Sequence, residues 1–412
     1  MDGHDAANSE AVARIGAAAP FLVDVRLARE VIPGLGEWDL LHAGPPLGGF
    51  EEACGALRGA VLGTLLHKRL ARDIAEAEGL AAGKVRLLCA HDHGVLGTYG
   101  GVIGATTPVF VVENRTAGTR AFTALNEGRG KALRYGSSDP ETLSRLAWLE
   151  GEFAELLGTA IRLSGGIDIF AILEQALHMG DEGHSRQKAA SALFANTISP
   201  CVVEAGASSA STVRALHFLV QNEIFFLPLT MAAAKSAMVA AEGIAGATIV
   251  TAIAFNGVSG GIRVSGLGGR WWTAPVPIAQ GQYFEGYAAA DAGPVIGDSE
   301  IAETMGLGAF AMAGAPALAR YVGGTVAEAS RLTLEMYGIT VAEHARFKMP
   351  ALEYRGTPLG IDVRRIVEMG IAPVFNTGIA HKVAGIGQIG AGFGRVPLEC
   401  FATAYRALGL GG

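Results

Sequence analysis

The chain has 412 residues, half of them apolar, a formal net charge of −7 and a positive mean hydropathy. That length buries a large core and predicts two or three domains, while the acidic balance without basic runs argues against nucleic acid as the main partner. No apolar run reaches the ~18–20 residues of a membrane span; the nearest, Gly243 to Phe255, stops at Asn256.

In chain order, Phe21 to Val25 has the pattern of a strand, and Phe50 to Glu78 has helical spacing through Leu57, Val61, Leu65, Leu70 and Ile74. Val85 to Cys89 and Pro108 to Glu113 read as buried strands, so residues 1–138 form an N-terminal α/β domain. The period then becomes helical. Asp139-Pro140-Glu141 is a helix start, with Asp as cap, Pro at the first position and an acid in the first turn. Leu143, Leu146, Leu149, Phe153, Leu156 and Ile161 continue it. Further helices are predicted over Ile167–His178, Gln187–Asn196, Ser211–Val220 and Met231–Glu242, giving a helical domain over 139–242. Strands return at Thr248–Ala254, Ile262–Ser265 and Ile371–Phe375, with helices near Val326–Tyr337 and Val363–Met369, in a C-terminal α/β domain over 243–412. The predicted fold is mixed α/β (α+β), two α/β domains with an intervening helical one.

Other features set the context. The N-terminus, MDGHDAANSE, is acidic and polar, and is not read as a signal peptide. Cys54, Cys89, Cys201 and Cys400 are far apart and show no C-x-x-C pairing, which suits a reduced cytoplasmic protein without a disulfide framework. The 58 glycines, about twice the usual frequency, cluster where predicted strands end.

Four predicted strands deliver polar groups near their C-terminal ends: His91-Asp92-His93, Glu113-Asn114-Arg115, Asn256 and Asn376. In open α/β sheets ligands bind at that edge. The three titratable groups of His91-Asp92-His93 suit proton transfer, the alternative being a solvated loop. From Asn376 to Arg395 glycines crowd a stretch that also holds His381, Lys382 and Gln388. Backbone N–H groups of such a segment can cradle phosphate or carboxylate; the alternative is a connection that permits tight packing. Its G-x-G-x-x-G, at Gly385, Gly387 and Gly390, lacks the βαβ unit and distal acid of a dinucleotide site.

The segment from His178 to Arg186 carries Asp181, Glu182 and His184. It suits a metal-free carboxylate–His site or structural ion pairing better than a metal held by His178, Asp181 and His184, because no specific zinc spacing is present. Arg263, Arg270, Arg355 and Arg364 stand beside glycine-rich turns, where a guanidinium fork can hold carboxylate or phosphate, and Trp271-Trp272 flanks Arg270.

Long strings such as GVIGATTPVFVVENRTAGTRAFTALNEGRGKALRYG, LSGGIDIFAILEQALHMGDEGHSRQKAA, DAGPVIGDSEIAETMGLGAFAMAGAPA and NTGIAHKVAGIGQIGAGFGRVPLECF carry a resemblance. The chain resembles, almost end to end, the YlbE-like family, the AllG-type subunit of bacterial oxamate carbamoyltransferase. The resemblance implies a role in allantoin and purine-nitrogen catabolism, where oxalurate plus phosphate exchange with oxamate plus carbamoyl phosphate. It implies FdrA-like and YlbF-like partner subunits in a hetero-complex or homo-oligomer, and no cofactor. The family's HMGDECHNRN-like segment reads HMGDEGHSRQ here, with Gly183 at the expected Cys, which disfavours a thiol or metal role. No aspartate or ornithine carbamoyltransferase motif is present.

On the residue reading, the Gly385–Gly394 loop with Lys382 would hold phosphate and Arg263 or Arg270 the carboxylate. His91, His93 or His381 would supply a proton, oriented by Asp92 or Asp181. The other readings are a non-catalytic scaffold subunit and a stand-alone ureide or cyclic-amide hydrolase.

Overall fold

A computed structural model describes residues 3–410; Met1 and Asp2 of the acidic N-terminus and the last two glycines lie outside it. The fold is mixed α/β, with helices packed among several small sheets. A five-stranded sheet runs in the order Val95–Leu96, Thr119–Ala124, Pro108–Asn114, Pro20–Leu27, Ile167–Asp168. A four-stranded antiparallel sheet joins Trp272–Pro275, Ser259–Val264, Val250–Asn256 and Ile296–Gly297. Smaller sheets pair Asp39–His42 with Arg86–Cys89 and Ile103–Gly104, and Thr340–Met349 with Arg355–Ile361. Most of the pairings are antiparallel, so the open sheet whose C-terminal edge would collect ligands does not form.

The helix Leu227–Val239 packs on the large sheet and is buried from Pro228 to Met238. A helix apolar on all sides has no solvent face to keep. Its alanines, Ala232, Ala233, Ala234 and Ala237, let neighbours approach from every direction. The one buried cation on it, Lys235, meets Glu242 at 3.0 Å. Beside it Phe110, Phe153, Phe194 and Phe218 surround Phe225 with ring centroids 5.4–6.1 Å away. The core containing this cluster draws residues from Ala11 to Leu359.

The expected helix start at Asp139 forms: its carboxylate accepts from the N–H groups of Glu141 and Thr142, both at 3.1 Å. The helical run to Ile161 is continuous but contains one π turn, Leu149–Phe153. The expected span Phe50–Glu78 divides into Gly55–His67 and Ile74–Gly83, the second capped by Asp73.

The glycine-rich C-terminal stretch is a β-hairpin, Val374–Ala380 paired with Gln388–Arg395, with the edge strand Gln280–Tyr283 added to its second arm. Its glycines serve backbone contact. A Cβ on Gly392 would sit 2.2 Å from the Gln280 carbonyl, and one on Gly390 2.4 Å from that of Gln282. Several N–H groups of the connection are engaged within the protein and are not open to an anion. His381 N–H donates to Gly387 at 3.0 Å, Lys382 N–H to Asp291 at 2.9 Å and Gly385 N–H to Tyr135 at 2.8 Å. Among the described residues no helix is long and apolar enough to cross a membrane.

Removing the Phe225 ring leaves a cavity among four other rings, so Phe225→Ala is expected to cost ~3–5 kcal/mol in urea unfolding. Val220→Ala, at a side chain 70% exposed on a helix surface, should stay within about 0.5 kcal/mol of the parent.

Candidate functional site

A narrow cleft of about 40 Å³ collects side chains from segments far apart in the chain. Thr98 and Tyr99 come from the turn after Val95–Leu96, and Asn126, Arg129, Arg134 and Tyr135 from the loop after Thr119–Ala124. His184 and Ser185 come from the link between two helices, Ser299 from the turn after Ile296–Gly297, and Tyr321 from a helix end. Gly378 and Gln388 face in from the two arms of the hairpin.

One wall offers hydrogen-bond donors. Glu127 fixes the loop by accepting from the N–H groups of Leu133 at 2.8 Å and Arg134 at 3.1 Å. The Arg134 guanidinium is 4% exposed; one terminal nitrogen donates to the Gly128 carbonyl, while the other, Nη1, has no hydrogen-bond partner. Tyr135 Oη donates to Gln388 Oε1 at 3.4 Å and Gln388 Nε2 to Tyr321 Oη at 3.2 Å. Tyr99 adopts a left-handed φ of 51°, rare for an aromatic residue and a form of strain found at functional sites. Its hydroxyl fits only because residue 378 is glycine: a Cβ there would lie 1.8 Å from Tyr99 Oη. Burial, reinforced by Tyr135, raises the Tyr99 pKa well above 10, so this phenol stays a donor.

Behind the opposite wall lies a buried cluster of carboxyls around one imidazole. His184 Nδ1 meets both oxygens of Glu303, at 3.0 and 3.1 Å, which leaves the other ring nitrogen for the cleft. Burial disfavours charge on His184, yet the carboxylates of Glu303, Glu300 and Glu182 outweigh it and push the pKa up to about 9. Glu182 closes the loop by accepting from Ser185 N–H, from Arg186 N–H at 3.0 Å and from Asn376 Nδ2 at 3.3 Å; burial still raises it to about 7. Glu300 is fully buried with Oε1 unpartnered, and desolvation lifts it to about 8. Its other oxygen accepts from Ser299 Oγ at 3.4 Å, so a carboxyl that is protonated near neutrality stands one hydroxyl behind the cleft.

Asp298 joins this wall to the one opposite. Its carboxylate accepts from Gly44 N–H and Gly97 N–H, both at 2.7 Å, and faces His91 Nε2 at 3.2 Å. The Asp298 N–H also donates to the Gly97 carbonyl at 3.0 Å, holding the Thr98–Tyr99 turn against Ser299.

Of the residues singled out from sequence, Gln388 and His184 line the cleft, and Asn376 lies beneath it, accepting from Ser185 Oγ at 3.1 Å. The others are placed elsewhere. His91 is enclosed between Asp298 and the edge of Trp271, and burial lowers its pKa. Asp92 pairs with Arg263, whose guanidinium lies 4.7 Å over Trp271, and His93 ends the same turn half-buried. Arg270 stacks on Trp272 outside the cleft.

Glu113 pairs with Arg120; buried Asn114 bonds Ala19 N–H and the Ser236 carbonyl; Arg115 stacks on Phe21. Asn256 closes its own turn by accepting from Val258 and Ser259 N–H groups. His381 accepts from Val383 N–H and exposed Lys382 donates to the Ala290 carbonyl, in the connection of the hairpin that also holds half-buried Gly385 and buried Gly387. Arg355 pairs with Glu343, and Arg364 with Asp5 and Asp362. The His178, Asp181, His184 set is dispersed: His178 packs on Tyr354, Asp181 caps the helix Lys188–Glu204 through Ala190 N–H, and His184 holds Glu303.

Thr98, Tyr99, Arg134, Tyr135, Ser299, Glu300, Glu303 and Tyr321 were not legible as site residues. Their only sequence signal was the polar density of the strings GTYGG, LRYG and GDSEIAE.

A family profile described as "Oxamate carbamoyltransferase subunit AllG" matches residues 85–299. The oxamate carbamoyltransferase subunit AllG of Escherichia coli K12 is 42% identical over 406 residues, 98% of this chain and 97% of the relative. The chain belongs to the AllG family. The uncharacterized E. coli protein YahG is also 42% identical, over 97% of this chain and 84% of its own length. A crystal structure of a conserved protein of unknown function from Enterococcus faecalis V583 superposes with a TM-score of 0.96 at 42% identity, covering 98% of this chain and 97% of that one.

The buried cluster sets a pH dependence. Glu182, Glu300 and His184 have folded-state pKa values near 7, 8 and 9, each above its ordinary value of 4.5 or 6.5. The folded chain therefore holds more protons than the unfolded one across this range, and stability falls as pH rises. The melting temperature should drop between pH 6 and pH 9, and Glu300→Gln should flatten that slope up to about pH 8. A melting temperature that rises over the same range contradicts the assignment.

Proposed function

We propose that the chain is a subunit of a carbamoyltransferase interconverting oxalurate plus phosphate with oxamate plus carbamoyl phosphate, and that the cleft is where the ureide reacts. The observation that carries this reading is the buried Arg134 Nη1, which has no hydrogen-bond partner and only the Glu127 carboxylate at 3.8 Å, in a small cleft whose facing wall presents the His184–Glu303 pair. A guanidinium with an open donor suits the carboxylate end of oxalurate or oxamate. Family membership points to the same reaction class.

In the phosphorolytic direction a phosphate oxygen attacks the carbamoyl carbon of oxalurate. The carbon–nitrogen bond to the oxamate moiety breaks, and its electron pair stays on that nitrogen. His184, charged at neutral pH, gives the nitrogen a proton and recovers one from the phosphate hydroxyl, so the balance closes on oxamate and carbamoyl phosphate. Tyr99 lines the cleft as a donor for the developing oxyanion, and the mutually bonded Tyr135 and Gln388 shape the wall beside it. Glu303 orients the imidazole and stabilises its charge. The FdrA-like and YlbF-like subunits complete the assembly in this reading.

The test is phosphate release from carbamoyl phosphate plus oxamate by the chain co-expressed with its partner subunits. His184→Gln should lower turnover by ~100-fold or more with assembly intact, and Arg134→Met should act chiefly through a raised KM for oxamate. Unchanged turnover in both variants would make the chain a scaffold whose partner carries the site.

A further inference from the structure

Beside the cleft lies a second, larger hollow of about 280 Å³ that shares Arg129, Ser185 and Tyr321 with it as a common wall. Its remaining polar lining is Arg186, Gln187, Lys188 and Glu223. Three cations thus converge on a space that opens beside His184. They are held apart by one exposed carboxylate: Glu223 meets Lys188 Nζ at 2.5 Å and Arg129 Nη2 at 3.9 Å. Arg186 stands 3.1 Å from Asp181, whose other oxygen is committed to Ala190 N–H.

Gln187 supplies an independent observation. It is 1% exposed, its Nε2 makes one long hydrogen bond of 3.4 Å to Thr230, and its Oε1 has no partner at all. Buried amides are normally satisfied, so an orphaned one on a residue that lines a cationic hollow points to a polar ligand that completes it. The amide can turn to present either its oxygen or its NH₂.

We propose that this hollow is the phosphoryl subsite of the reaction, an inference that rests on the carbamoyl-transfer reading of the adjoining cleft. Arg129, Arg186 and Lys188 hold the phosphoryl oxygens of inorganic phosphate or of carbamoyl phosphate, while Gln187 engages the P–OH group or the carbamoyl NH₂. Glu223 occupies the anion's place in the free protein and swings aside when the phosphoryl group enters. A dianion needs more than one cation, which this hollow offers and Arg134 alone does not. The shared wall at Ser185 brings the attacking phosphate oxygen next to His184, where the proton exchange takes place.

The test is isothermal titration of the purified chain with inorganic phosphate, carbamoyl phosphate and oxamate in separate runs. The first two runs distinguish the sources of the phosphoryl group. The double variant Arg186→Met with Lys188→Met, at two side chains that do not line the cleft, should weaken phosphoryl binding by roughly tenfold or more. It should leave oxamate binding within about twofold. Glu223→Gln should tighten phosphoryl binding, because it removes the competing carboxylate; circular dichroism checks that each variant is folded. Phosphoryl binding that is absent, or unchanged in the double variant, or weakened by Glu223→Gln, overturns the subsite. If Arg134→Met abolishes phosphoryl binding and the double variant does not, the phosphate belongs in the cleft and the subsite alone falls. If oxamate fails to bind while phosphoryl binding follows the predicted pattern, the subsite stands and the carbamoyl-transfer reading falls.

Discussion

The site depends first on Asp298. A fully buried carboxylate is costly unless donors converge on it, and this one is met by Gly44 N–H, Gly97 N–H and His91. Through those contacts it locks two glycine turns and a 3-10 turn against the segment that carries Ser299, Glu300 and Glu303. The glycines are needed for the approach: a Cβ on Gly44 would lie 2.4 Å from the backbone of Phe255 and Asn256. Tyr99, with its left-handed φ of 51°, follows two residues after Gly97. The walls of the cleft are therefore coupled, and rotation of either one breaks a bond to a buried charge.

The second constraint is electrostatic. Glu182, Glu300 and Glu303 surround a single imidazole in a place that water does not reach. Hydrophobic packing alone would exclude such a cluster, and the raised pKa values of Glu182 and Glu300 express its cost. The cluster makes sense as a proton reservoir beside the cleft. It keeps His184 charged at neutral pH and places an exchangeable proton on Glu300, one hydroxyl away from the ligand space. Stability given up inside the protein for a pre-set protonation state is a pattern expected at reactive sites.

Much of the secondary structure was legible because it follows from period and caps. The strands at Phe21–Val25 and Pro108–Glu113 and the helix start at Asp139 appear where alternation and an Asp-Pro-Glu sequence place them. The second arm of the hairpin was misread as a loop because glycines alternate with its apolar residues. The signal was nonetheless present: Gly390, Gly392 and Gly394 recur at period two, the period of a strand face, and clear that face for a neighbouring backbone. His91 and Arg263 have functional chemistry but are consumed by Asp298 and Asp92, which only the tertiary pairing shows. Arg134 and Tyr99 could not be singled out, since one unpartnered nitrogen and one left-handed φ leave no trace in a sequence. His184 was read chiefly as part of a carboxylate–His group within its own segment, and its carboxylate partner is instead Glu303, over a hundred positions away.

The central claim is that the ureide reacts in the cleft between Arg134 and His184. A crystal structure of this chain with oxamate bound tests it most directly. The account predicts the oxamate carboxylate on Arg134 Nη1 and its amide nitrogen within hydrogen-bond distance of the free His184 ring nitrogen. Oxamate seated instead at the exposed end of the glycine-rich hairpin, or beside His91 and Arg263, with the cleft empty, would contradict it.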